Sequence, residues 1–130
     1  MSAAVLVDTD VLIDVLRGYR PAISFVRDYS ERIILSAIVV AELYAGVRGA
    51  KDEAEQIALE HLLALFRMVP VRGDIARLGG LYFRDYGPSH GIGLPDALVA
   101  ATAFLEGATL KTLNVKHFPM FEGIEPAYRK

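Results

Sequence analysis

Val5-Leu6-Val7-Asp8-Thr9-Asp10-Val11-Leu12-Ile13-Asp14 is the stretch that decides how this chain folds. Ala3 to Val7 is short and almost wholly apolar, the pattern of a strand covered on both faces of a parallel sheet. The apolar run stops at Asp8, and Val11, Leu12, Val15 and Leu16 then recur at one-turn spacing, which predicts a helix. In open α/β sheets ligands bind beyond the carboxyl ends of the strands, where Asp8 and Asp10 fall. An acid at a strand-to-helix turn also satisfies free N–H groups. Capping accounts for one of these carboxylates and not readily for both.

The 130 residues are enough for one domain with a proper core, and residues 1–130 are read as that domain. Hydrophobic residues make up 53% of the chain and mean hydropathy is +0.33, rich for a soluble protein. No apolar run approaches the roughly 18 residues of a membrane span. Met1 leads almost directly into the first strand, so a cytoplasmic protein without signal peptide is expected. The apolar surplus predicts an oligomer or a permanent partner. With no cysteine, disulfides, thiol catalysis and Cys-based zinc sites are excluded. A net charge of −2 and a pI near 5.9 argue against gripping nucleic acid by bulk electrostatics. They do not exclude a nuclease, whose acidic site would contribute to that balance.

Further along, Pro21 suits the first turn of a helix ending near Tyr29, and Arg32 to Leu35 reads as a second strand. Ser36 is a natural N-cap for a helix running to about Val47. Asp52 to Met68 is expected as a long amphipathic helix with Ile57, Ala58, Leu62, Leu65 and Phe66 on one face. Val69 to Val71 reads as a brief strand and Asp74 to Tyr86 as another helix. Gly87 to Gly93 is predicted as a loop, Leu94 to Leu105 as a helix with Pro95 in its first turn, and Ala108 to Leu110 as a strand. A polar turn over 112–119 and an extended piece around Ile124 to Pro126 complete the pattern. His61 reads as a surface or packing residue, and His90, without a ligand-spaced partner, as a solvated loop residue within a stretch that could touch a substrate.

Two more acids stand alone. Between Ile33 and Val47 the only charge is Glu42, with no Lys or Arg one turn away to pair with it. Between Leu94 and Leu105 the only charge is Asp96, at the start of a helix apolar enough to be buried. Such an acid favours the helix dipole by about 0.3–1 kcal/mol. Three solitary acids in one core predict convergence, because sharing a cation offsets their desolvation and mutual repulsion. Mg²⁺ or Mn²⁺, which prefer oxygen ligands, would make such a cluster a site for phosphoryl chemistry.

The segments 7–14, 36–46, 94–103 and 112–118, in this order, resemble the PIN-domain ribonucleases, and within them the VapC-type toxins of toxin–antitoxin pairs. The resemblance implies a three-layer α/β/α domain with a central, mainly parallel sheet. It also implies a metal-dependent endoribonuclease that cuts RNA, is neutralised by a cognate VapB-type antitoxin, and forms a homodimer. Position by position, Asp8, Glu42 and Asp96 match the family's metal-holding acids. Thr9 matches a small hydroxyl residue beside the first acid, while Asp10 and Thr112 are taken as supports for the ligands and Asp14 as structural. Asn114 falls in the catalytic set where many relatives carry a fourth acid, which predicts one firmly held ion and a second arriving only with substrate. Leu113 stands where relatives often carry a basic residue. Arg17, Arg48, Lys111 and Lys116 are the candidates for RNA backbone contacts.

Three alternatives compete. Asp8-Thr9-Asp10 after a strand resembles the nucleophile motif of haloacid-dehalogenase-like phosphatases, but Val11-Leu12 replace the small pair expected next. A signalling receiver domain needs a phosphorylatable Asp at the end of its middle strand, and Val69 to Gly73 supplies none. A catalytically weak PIN fold kept as a binding module is the third, with Asn114 in its favour.

Overall fold

The computed structural model describes residues 3–46 and 53–130. Its frame is a parallel sheet of β1 (Val5–Val7), β2 (Ile33–Ser36), β3 (Arg67–Val69) and β4 (Thr109–Lys111), in the order β3-β2-β1-β4. Leu6 lies opposite Ile34 on one side and Leu110 on the other, and Leu35 lies opposite Met68. Parallel neighbours need crossovers, supplied by α1 (Thr9–Leu16), α2 (Arg20–Tyr29), α3 (Ala37–Ala45), α4 (Glu53–Leu63), α5 (Gly73–His90) and α6 (Leu94–Leu105). All of β1 and β2 is buried, as strands flanked by helices require. Because β1 lies between β2 and β4, the strand order reverses there, and the carboxyl edge beside β1 and β4 is the switch point of the sheet.

Local chemistry sets the boundaries. Asp8 and Ser36 cap α1 and α3, the Ser36 hydroxyl accepting the Ile38 N–H at 3.1 Å. Pro21 and Pro95 sit in the first turns of α2 and α6, where no intrahelical donor is needed. The expected end of α3 at Val47 and the start of α4 at Asp52 lie outside the described residues.

Several expectations are corrected. The helix expected to Met68 stops at Leu63, and Arg67 and Met68 belong to β3. The strand expected at 69–71 is therefore shifted back, because Pro70 has no N–H to continue the ladder. The buried stripe of α4 is centred on Leu59, whereas Ile57 and Leu65 are exposed. The predicted loop at 87–93 is helical as far as His90. Tyr82, Tyr86 and His90 stack at one-turn spacing, with centroids 6.2 and 5.8 Å apart, and Gly91 closes the helix at φ +67°. Pro88 lies inside this last turn, where its missing N–H leaves one helical hydrogen bond unmade. Residues 124–126 pair with no strand.

Helix α6 packs tightly on α5 where Gly79 meets Leu98. A Cβ at position 79 would stand 2.5 Å from Leu98 Cδ2 and 3.2 Å from its Cα. Gly79→Val should therefore destabilise the fold by about 1–3 kcal/mol, lowering Tm by several degrees in a thermal melt. An unchanged Tm would mean that the two helices separate without penalty.

Candidate active site

Asp8 leaves the end of β1, and its backbone N–H donates to the Lys111 carbonyl at the end of β4 (3.0 Å). Its side chain is buried. Oδ1 accepts the Thr9 N–H and Oδ2 accepts the Thr112 hydroxyl, both at 2.8 Å. Asp10 accepts the Val11 N–H at 2.8 Å and the Leu113 N–H at 3.0 Å, and its Oδ2 lies 3.3 Å from the Thr112 oxygen. A hydroxyl has one proton to give, and the shorter contact assigns it to Asp8. The same Thr112 oxygen accepts the Asn114 N–H at 3.0 Å. Thr112 thus joins Asp8, and Leu113 joins Asp10, to the loop after β4.

Glu42 is exposed, so the desolvation expected of a solitary acid in this apolar stretch does not apply to it. Helix α3 buries only Val39 and Leu43, so its other side, with Glu42, faces solvent. Glu42 Oε1 accepts the Thr9 hydroxyl at 2.8 Å, and this bond, not burial, ties it to the residue beside Asp8. A groove of about 790 Å³ opens next to it, lined among others by Ile13, Arg17, Leu43 and Glu55. Asp96 lies partly buried in the first turn of α6, with Oδ2 3.1 Å from His117 Nδ1. His117 was not foreseen. It comes from a 3₁₀ turn over Val115–His117, in an element remote from α6, and no spacing in the sequence links it to Asp96.

Of the remaining candidates, Asn114 opens that 3₁₀ turn and is exposed, Lys111 ends β4, and Lys116 is exposed within the turn. Arg17 follows α1 at the edge of the groove beside Glu42. Arg48 lies outside the described residues. Asp14 is buried and accepts the Tyr128 hydroxyl at 2.6 Å and the Lys130 ammonium at 3.0 Å.

The electrostatics are those of crowded acids. Burial, then the charges of Asp10 and Asp96, push the Asp8 carboxyl up to about 6 against the opposing bonds from Thr112 and Thr9. Burial also raises Asp10 and Asp96, the latter opposed chiefly by His117. Asp14 goes the other way: burial would raise it, but the bonds from Tyr128 and Lys130 and the nearby cations prevail. Among the described residues no Lys or Arg forms an ion pair with Asp8, Asp10, Glu42 or Asp96. Carboxylates raised mainly by burial and left without a Lys or Arg partner have the oxygen chemistry that a hard divalent cation prefers. Among the described residues no three acids or histidines are grouped closely enough to share one ion; Glu42 is bonded to Thr9 and Asp96 to His117.

Between its ordinary value of 3.8 and about 6, Asp8 keeps its proton in the folded state and has lost it in the unfolded one. Its contribution to stability therefore falls as pH rises through that window, by roughly 3 kcal/mol in all. Melting in chelator from pH 4 to 7.5 should show a downward trend that Asp8→Asn flattens, raising Tm at pH 7. Parallel curves for the two proteins would contradict this assignment. Asp14 acts in a separate window, its stabilisation being lost only as pH falls below the usual carboxylate range.

Comparison with known proteins agrees with this geometry. The profile of the PIN domain family matches residues 5–118. Ribonuclease VapC19 of Mycobacterium tuberculosis is 42% identical over 127 residues, covering 95% of this chain and 98% of that protein. Ribonuclease VapC10 of the same organism is 44% identical over 131 residues, covering 95% and 92%. Among solved structures, a toxin–antitoxin complex from Klebsiella pneumoniae contains a chain that superposes with a TM-score of 0.80 at 29% identity, covering 99% of this chain and all of that one. The chain belongs to the PIN domain family, within its VapC group.

Proposed function

We propose that this chain is an endoribonuclease toxin, dependent on Mg²⁺ or Mn²⁺, that hydrolyses RNA phosphodiester bonds and is neutralised by a cognate VapB-type antitoxin. The observation that carries the proposal is the pair of acids at the switch point of the sheet, buried Asp8 bonded to Thr112 and Asp10 bonded to Leu113, with no Lys or Arg paired to either among the described residues. The names of the curated relatives and of the aligned toxin–antitoxin complex support the activity and the partner.

Asp8, Glu42 and Asp96 would hold the ion. When bound, a divalent cation supplies positive charge to the phosphoryl oxygens and acidifies water. Thr9 and Thr112 fix the directions of Glu42 and Asp8 through their hydroxyls, and Asp10 anchors the start of α1 to the loop at Leu113. Asn114, bonded through its backbone N–H to Thr112, adds no charge to the acidic set. Arg17, Arg48, Lys111 and Lys116 are our candidates for contacts to phosphates of the RNA backbone. Water attacks phosphorus and the 3′-oxygen leaves, so the products are a 5′-phosphate and a 3′-hydroxyl, with no role for the 2′-hydroxyl as nucleophile. The antitoxin would seat an apolar helix in the groove of about 1030 Å³ between α2 and α4, where Ile23, Val26, Leu62 and Leu65 line the wall. We also place the protein in the cytoplasm as a homodimer. Among the described residues no helix is long and apolar enough to cross a membrane.

A pool of structured RNA incubated with the purified chain should be cut with Mg²⁺ or Mn²⁺ and spared in chelator. Asp8→Asn and Asp96→Asn should each lose activity by roughly 100-fold or more. Equal cutting by all three proteins would expose a contaminant, and products ending in a 2′,3′-cyclic phosphate would refute the hydrolytic route. Metal binding without turnover would favour a PIN fold kept for binding, the alternative that Asn114 and the dispersed acids support.

A further inference from the structure

Asp14 is a carboxylate buried in α1, and both side chains that satisfy it come from the last three residues of the sequence. The Tyr128 hydroxyl donates to one of its oxygens at 2.6 Å, and its ring packs between Tyr19 and Phe25 at centroid distances of 5.8 and 6.3 Å. Lys130 reaches the same carboxylate at 3.0 Å from an exposed position, with its ammonium 5.4 Å from the centre of the Tyr19 ring. One residue before Tyr128, the Ala127 N–H donates to the carbonyl of Thr112 at 2.9 Å. The closing segment is therefore fastened at two adjacent residues to two different parts of the acidic site. One is the helix that carries Asp10 and begins at Asp8. The other is Thr112, whose hydroxyl holds Asp8.

We infer that Tyr128 is a positioning residue for the acidic site: by anchoring residues 127–128 on buried Asp14, it holds Thr112 where its hydroxyl can bridge the ends of β1 and β4. This rests on the metal-site reading above. Tyr128 touches none of the proposed ligands and acts only through Asp14 and the Thr112 backbone. The ring alone cannot do this. Aromatic packing fixes the depth of the segment, whereas the hydroxyl-to-carboxylate bond fixes its position along α1, and a hydrogen bond to a buried charge is among the stronger kinds.

Tyr128→Phe keeps the ring and removes the bond. In amide exchange followed by NMR, the Leu113 and Asn114 N–H groups, which bond to Asp10 and Thr112, should exchange about tenfold faster in this variant. Leu35 in β2 should be unchanged. Mn²⁺ binding followed by EPR should weaken at least about threefold. Asp14→Asn should give a similar but smaller change, since its amide oxygen still accepts from Tyr128, and combining it with Tyr128→Phe should add little to Tyr128→Phe alone. Lys130→Met, at the exposed rim, should leave both readouts within twofold of the parent.

Unchanged exchange at Leu113 and Asn114 would overturn the proposal, as would faster exchange with Mn²⁺ affinity preserved. If the parent chain binds no more Mn²⁺ than Asp8→Asn does, the metal-site reading fails and this proposal fails with it. Failure confined to Tyr128→Phe leaves that reading standing.

Discussion

A carboxylate at the end of a fully buried strand cannot rely on water, and the rest of this site depends on how Asp8 is satisfied instead. Its oxygens take the N–H of the following residue and the hydroxyl of Thr112. The second of these joins β1 to the loop beyond β4, so the bond that satisfies Asp8 also aligns the two strands that flank the switch point. The arrangement is incomplete in charge. Thr112 contributes a dipole, not a cation, and Asp10 and Asp96 add repulsion. A site built this way is stable only at the cost of a raised proton affinity, and it is best satisfied when a positive ion supplies what the protein does not.

Much of this was legible in the residues. A buried strand followed at once by acids has few structural explanations, and the apolar runs around Ser36 and Leu94 gave the helices that carry Glu42 and Asp96. These features are local in sequence, and local periodicity is what a single chain exposes most directly. The family resemblance converted three scattered acids into one site with named roles. The phase of α4 was misjudged because its apolar residues surround it on several sides, so periodicity alone could not tell that Leu59, rather than Ile57, faces the core. The end of α5 differs from the expected loop because Gly87 and Pro88 are loop residues by composition, while the edge-on contacts of Tyr82, Tyr86 and His90 form between turns and leave no local signal.

Glu42 sits in the structure for a different reason from the one its sequence suggests. Its isolation in the sequence pointed to burial, but α3 turns it outward, and a single hydroxyl from Thr9 links it to the site. His117 and the Asp14–Tyr128 contact were invisible for a different reason. Each pairs residues on elements that only the tertiary fold brings together, over separations that no local pattern encodes. Asn114 belongs with them. In sequence it is only a departure from an acid that many relatives carry. In the fold its N–H holds the oxygen of Thr112, a contact that needs nothing from the side chain.

The pairing of β1 with β4 also has a bearing on the order in which the protein acquires its properties. Val5 must find Thr109 and Asp8 must find Thr112, a partner 104 residues later in the chain. Contacts so distant in sequence form late, because a large loop has to close before they contribute anything. During synthesis the ribosome releases Asp8 and Glu42 long before Thr112 exists, so a nascent chain holds part of the acidic set without the hydroxyl that aligns it. Until residues 109–112 have been made, β1 lacks the neighbour and Asp8 the hydroxyl that complete the acidic end of the sheet.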